Sequence, residues 1–122
     1  MFPFVFQSFI YEYINYCGSW ESIAAIEGMK ERTIVVNGLS KGFAMTGWRL
    51  GYIAANAEIA KGCEKLQGQF TSGATAVTQR AAIVALTGDL RPSEEMTEEF
   101  TRRRKRVLEI IKEVQVPEGK MF

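Results

Sequence analysis

Lys41 and its neighbours offer the most chemistry in this sequence. They lie in the stretch Gly38-Leu39-Ser40-Lys41-Gly42-Phe43-Ala44-Met45-Thr46-Gly47-Trp48-Arg49-Leu50-Gly51, with a small hydroxyl residue just before the lysine and Arg49 eight positions after it. One loop therefore supplies an amine that can act as a nucleophile or carry a proton, a hydroxyl donor, and a planar guanidinium fork suited to a phosphate group. Histidine is absent, which excludes His-based nucleophilic triads, imidazole metal ligation and imidazole acid–base work. Cys17 and Cys63 form no C-x-x-C unit, so neither a zinc site nor a disulfide framework is indicated. Both read as structural thiols, and a reducing, cytosolic compartment is expected.

The elements that must position this loop are legible from hydrophobic pattern. Thr33-Ile34-Val35-Val36-Asn37 is a continuous β-branched run between Lys30-Glu31-Arg32 and Gly38, expected as a central strand covered on both faces, as in parallel sheets. A second strand is expected over 50–55, so Lys41 falls in a strand-to-strand connection, where α/β proteins place their sites. The Phe-, Val- and Ile-rich residues 3–10 read as a buried strand, and Ser19-Trp20-Glu21-Ser22 as a helix start, with the helix ended by Gly28. Helices are expected over 57–68 and 74–87, separated by Thr71-Ser72-Gly73. A long helix is expected from Ser93, with Pro92 before it and Glu94 and Glu95 in its first turn. Its apolar stripe is Met96, Phe100, Val107, Ile110, Ile111 and Val114, and Val116-Pro117-Glu118-Gly119 stops it. Lys120-Met121-Phe122 looks like the start of a further strand.

The 122 residues are 47% hydrophobic and 24% charged, with 15 Lys+Arg against 14 Asp+Glu for a net charge of +1. This is globular-domain composition, without the global field that would draw the chain to nucleic acid or an anionic membrane. No stretch approaches the roughly 18 apolar residues of a membrane-spanning helix, and residues 1–6 lack the basic start of a signal peptide. Arg102-Arg103-Arg104-Lys105-Arg106 follows Glu98 and Glu99 on one helix, so Glu98–Arg102 and Glu99–Arg103 are expected as i,i+4 pairs on a solvated face. Trp48, Phe43 and Met45 read as packing residues. Two or three strands leave edges and apolar faces uncovered, so the chain is expected to be a portion of something larger.

The lysine stretch resembles the cofactor-lysine signature of the class I aminotransferases, which use pyridoxal 5'-phosphate (PLP), in its aspartate aminotransferase-like branch. Ser40, Lys41, Met45, Gly47, Arg49 and Gly51 fit without a gap, and the likeness runs from Ile10-Tyr11-Glu12 through Gln67-Gly68-Gln69-Phe70-Thr71-Ser72-Gly73 to Pro117-Glu118-Gly119. The resemblance implies an α/β fold, namely part of the large domain of a fold-type I PLP-dependent transferase, a three-layer αβα sheet portion ending in a long helix. Residues 1–91 would be the partial PLP-binding large domain and 92–122 the long helix leading to a truncated small domain. It also implies that Lys41 is the catalytic Schiff-base lysine and proton shuttle, and that Ser40 and Arg49 hold the phosphate. Tyr11 would then hydrogen-bond the cofactor's ring oxygen. The substrates implied are an amino acid, aspartate-like or aromatic, and a 2-oxo acid, and the full-length parent is expected to be a homodimer. No metal, nucleic acid or membrane is implied.

Three departures matter. Three positions before its tyrosine the family carries an aspartate that pairs with the pyridine nitrogen; here that position is Ser8, flanked by Phe9 and, further back, Phe6. Residues 1–9 are therefore a candidate for sequence foreign to the family. Gly38 stands where many relatives have another hydroxyl. The small-domain arginine that grips the substrate carboxylate falls outside the roughly one third of a family member that the resemblance spans. Thr71, Ser72 and Thr75 either lie near a subunit interface, as in relatives, or simply cap helices. The chain by itself is expected to be inactive. A non-catalytic phosphate- or PLP-binding remnant and a basic-helix interaction protein are the alternative readings.

Overall fold

The fold is taken from a computed structural model that describes residues 3–16 and 18–113. β2 (Thr33–Gly38) forms the middle of a three-stranded sheet. β1 (Val5–Ser8) pairs with it in parallel, Val5 opposite Thr33 and Ser8 opposite Val36. β3 (Gly51–Ala54) pairs with its other edge antiparallel, Gly38 opposite Gly51 and Val35 opposite Ala54. The centrality expected from the β-branched run holds, but the sheet is mixed and β2 is not covered on both faces: Val36 is exposed. The reason is topological. The connection 39–50 is long enough for a crossover, but it closes on itself, with the Leu39 N–H on the Leu50 carbonyl at 3.4 Å, and so returns the chain beside the end of β2 as a hairpin does, which makes an antiparallel neighbour.

β1 is shorter than the 3–10 expected, because Phe9 is the last residue to donate to β2, through its N–H to the Val36 carbonyl at 2.9 Å, before the chain turns. The residues of β1 are nonetheless well used. Gln7 Oε1 accepts from the Ile23 N–H at 2.9 Å and the Ser22 hydroxyl at 3.2 Å. That tie seats a single 3₁₀ turn, Ile23–Ala25, where the sequence reads as a longer helix. Ser22 does cap it, accepting from the Ala24 N–H, but with Ile26 already extended only one turn forms.

Three helices follow. α1 (Ala57–Phe70) starts at Asn56, whose side chain accepts from the Ile59 N–H. α2 (Ala76–Thr87) starts at Thr75, which accepts from the Thr78 N–H and so fills the capping role open to it from sequence. α3 (Arg91–Glu113) begins two residues earlier than Ser93. Asp89 Oδ1, accepting from the Arg91 N–H at 2.9 Å, takes the role at the helix start expected of Ser93, which is buried in the first turn instead. Proline is tolerated there because a first-turn N–H has no intrahelical acceptor. Among the described residues the buried hydrophobics are Ile34, Leu39 and Ala82, so the interior gathers around β2 and the start of the Lys41 loop. Cys17, Val114, the helix stop at 116–119 and the strand expected at 120–122 lie outside the described residues.

Candidate active site

The Lys41 loop is wound around Leu39, which is 1% exposed. The Leu39 carbonyl accepts from the N–H groups of Phe43 at 3.3 Å and Met45 at 3.2 Å, and its own N–H reaches the Leu50 carbonyl at 3.4 Å. A buried aliphatic anchor thus turns the backbone outward, leaving the Lys41 side chain exposed at the crest. Thr46 Oγ1 donates to the Ser40 carbonyl at 3.0 Å and closes the crest from the other side. Two non-glycine residues here take left-handed backbone, Ala44 at φ 51° and Arg49 at φ 53°, flanking the 3₁₀ turn Thr46–Trp48. Such conformations cost of order 1–3 kcal/mol and persist where the surrounding structure over-determines them.

Lys41, Ser40 and Tyr11 line one cleft of about 630 Å³, with Ile14, Tyr16, Ala44, Thr46, Met96 and Phe100 completing its walls. The lysine and serine come from the β2–β3 loop, the tyrosine from the turn after β1, and Met96 and Phe100 from α3. From sequence the last two are only members of an apolar stripe; their part in the site depends on how α3 docks. The docking is visible in one hydrogen bond, Thr97 Oγ1 to the Tyr13 carbonyl at 2.5 Å, and in Arg104 resting over the Tyr16 ring at 5.3 Å.

Arg49 is not in that cleft. Its Nη1 donates to the Thr46 carbonyl at 2.9 Å, and it lines a neighbouring hollow of about 590 Å³ with Gly47, Trp48, Gly73, Thr75 and Thr78. The two hollows share Ala44 in their walls. Ser8, at the end of β1, is exposed and lies outside the residues lining either one.

Sequence reasoning passes over a polar cluster beneath the site. Asn37 is buried, and both ends of its amide are used: Nδ2 donates to Glu12 Oε1 at 2.8 Å, and Oδ1 accepts from the Gly38 N–H at 2.7 Å. Burial and the nearby Glu12 carboxylate push the Tyr13 and Tyr52 hydroxyls above the ordinary tyrosine range. Tyr13 also adds to the rise at Tyr52, and a hydrogen bond from Asn37 opposes it. The available signal was an asparagine ending an otherwise apolar strand, a polar group that would need partners once buried.

The donor set suits a molecule with an aldehyde, an acidic ring oxygen and a phosphate. The amine and phenol share one apolar-walled cleft with a hydroxyl, and a guanidinium stands at its border. No carboxylate is among the residues lining the cleft, so a protonated ring nitrogen finds no charged partner from Ser8.

A mixed α/β sheet that lifts a lysine out of a strand-to-strand loop beside Ser40 and Tyr11 is the architecture of part of a fold-type I transferase. The sequence profile of the family aminotransferase class I and II matches residues 3–121, and the chain belongs to that family, whose members use PLP, act on amino acids and 2-oxo acids and are commonly dimers. A bifunctional aspartate aminotransferase and glutamate/aspartate-prephenate aminotransferase of Petunia hybrida is 54% identical over 78 residues, 63% of this chain and 16% of its own. The aspartate aminotransferase of Musicola paradisiaca is 40% identical over 125 residues, 98% of this chain and 31% of its own. The solved aromatic aminotransferase of Pyrococcus horikoshii superposes with a TM-score of 0.88 at 41% identity, over 93% of this chain and 31% of that one. The chain therefore spans less than a third of the length of these relatives. The family match includes residues 3–9, the segment whose residue types depart most, and β1 pairs in register within that segment. No helix among the described residues is long and apolar enough to cross a membrane.

Proposed function

We propose that this chain carries the cofactor-holding part of a PLP-dependent aminotransferase that exchanges an amino group between an amino acid, aspartate-like or aromatic, and a 2-oxo acid. The carrying observation is the single cleft that gathers Lys41, Ser40 and Tyr11 from two separate segments. When bound, the cofactor supplies an aldehyde and a ring that delocalises the electron pair left at the substrate α-carbon. Lys41 Nζ would hold the cofactor at its aldehyde and move a proton at the substrate α-carbon. Tyr11 would hold the ring oxygen through its hydroxyl, and Ser40 and Arg49 would hold the phosphate through a hydroxyl and a guanidinium. We assign residues 1–91 to the cofactor part and 92–122, which open in α3, to the lead towards a second domain; a second copy of the full-length parent completes the enzyme in a cytosolic setting.

The test is to incubate the chain with PLP, reduce with borohydride and map the modified lysine. Modification concentrated at Lys41 over Lys30, Lys61, Lys65, Lys105, Lys112 and Lys120, and lost in Lys41→Ala, supports the reading. Even modification across all lysines overturns it, and phosphate binding without any adduct would favour a phosphate-binding remnant.

A further inference from the structure

The turn that carries Tyr11 and the loop that carries Lys41 are joined beneath the cleft by a short chain of contacts. Asn37 reaches Glu12, the residue next to Tyr11, with one end of its amide and the Gly38 N–H, at the root of the Lys41 loop, with the other. Tyr13 leans the other way: its ring meets Phe43 edge-on at 4.9 Å between centroids. It also sits so close over Gly42 that a Cβ there would come within 2.5 Å of Tyr13 Cδ2. Thr97 of α3 holds the Tyr13 carbonyl. The two residues after Tyr11 are thus fastened to the chain on either side of Ser40 and Lys41, Glu12 to Asn37 at the end of β2 and Tyr13 against Gly42 and Phe43 in the loop.

We propose that Glu12, through Asn37, is a positioning residue that sets the Tyr11 hydroxyl against the Lys41 amine in the cleft. This rests on the functional reading above. A carboxylate is not required for the task; an oxygen acceptor at Oε1 is, because Asn37 Nδ2 is the donor. Asn37 is buried and also bonds the Tyr52 hydroxyl on the neighbouring strand, so it stays in place when Glu12 is removed, and what is lost is the tether from the Tyr11 turn to β2. Removing the Glu12 side chain should therefore let the Tyr11 turn move relative to Lys41, whereas glutamine, which keeps the acceptor, should hold it.

The experiment reads the visible circular dichroism of the PLP adduct on the whole chain, normalised to adduct mass at Lys41, since that signal depends on a fixed asymmetric surrounding. Tyr11→Phe sets the reference loss. Glu12→Ala is expected to lower the signal at least twofold with adduct mass unchanged, Glu12→Gln to restore most of it, and Tyr11→Phe with Glu12→Ala to lose no more than Tyr11→Phe alone. Alongside, hydrogen exchange of the cofactor-free chain should show residues 9–14 and 38–44 loosening together in Glu12→Ala and not in Glu12→Gln. If Glu12→Ala lowers the melting temperature but leaves the dichroism as in wild type, or if its loss adds to that of Tyr11→Phe, the positioning role is overturned while the functional reading stands. A wild-type chain that forms no Lys41 adduct overturns both.

Discussion

At Arg49 local strain and proposed function pull in opposite directions. Its backbone sits at φ 53°, a conformation glycine adopts freely and other residues at a cost. Arg49→Gly should therefore leave the denaturation midpoint unchanged or raised, by up to about 1 kcal/mol, while weakening retention of PLP or inorganic phosphate at least tenfold. A parallel loss of both would mean the guanidinium's bond to Thr46 matters more than the strain. Gly42 behaves differently. The Tyr13 ring stands 2.5 Å from where its Cβ would lie, and Tyr13 is pinned by Phe43 and Thr97, so Gly42→Ala should destabilise by about 1–3 kcal/mol, the usual cost of overpacking. Gly47, with nothing within 4 Å of its Cβ position, is the control: Gly47→Ala should stay near wild type in the same urea titration.

At the scale of elements, α3 is the helix most exposed to pH and salt. Glu99 accepts from Arg102 Nε and Nη2 and from Arg103 Nε, each at 2.7 Å. The expected Glu98–Arg102 pair gives way to Glu99–Arg102, because one carboxylate can take a bidentate fork at i+3 and a second donor at i+4. These bonds hold the Glu99 carboxyl at about 2, below its ordinary 4.5, and the Arg91 bonds lower Asp89 in the same way. A depressed carboxyl contributes stability that is present above its unfolded value and lost as the pH falls through the folded one. Helicity of α3 should thus decline between roughly pH 4.5 and 2, and Glu99→Gln should flatten most of that decline. Because the pairs are exposed, added salt should shrink the effect; a decline insensitive to salt and to Glu99→Gln would point to another cause. At the start of α1, Asn56 both caps the helix and donates through Nδ2 to the Glu31 carbonyl at 2.9 Å. Asn56→Ala should accordingly cost more than the about 1 kcal/mol of a lone cap, read from thermal melts against Asn56→Asp.

For the molecule as a whole the imbalance is between apolar surface and interior. Phe70 is 82% exposed, Phe6 74% and Val77 72%, and every residue of β3 is exposed. Patches of this kind on an isolated chain drive association. Sedimentation should therefore show concentration-dependent self-association and dye binding to apolar surface; a monomer with a cooperative, high-temperature melt would count against this. Leu39→Ala should remove most of what order remains, since a buried leucine is worth about 2–5 kcal/mol. The same openness bears on activity. With Lys41 exposed and no carboxylate lining its cleft, turnover of aspartate and 2-oxoglutarate by the chain alone should not exceed that of free PLP. Turnover well above that level, abolished by Lys41→Ala, would show that the portion spanned here suffices.

The sequence by itself determined the parts whose cause is local. The β-branched run made β2, the asparagine and threonine before α1 and α2 made their caps, and the spacing from Ser40 to Gly51 marked the family and placed Lys41 between strands. What depended on distant segments was settled only in three dimensions. β3 runs antiparallel because of how the Leu39-anchored loop returns, Arg49 lines a hollow beside the Lys41 cleft with its guanidinium on the Thr46 carbonyl, and Ser93 is buried in the first turn of a helix that begins two residues ahead of it. The Asn37–Glu12 bond spans 25 positions, and the Thr97–Tyr13 bond spans 84. No periodicity or motif encodes such pairings: each residue type is common and its role arises only when folding brings a donor opposite an acceptor from a distant segment.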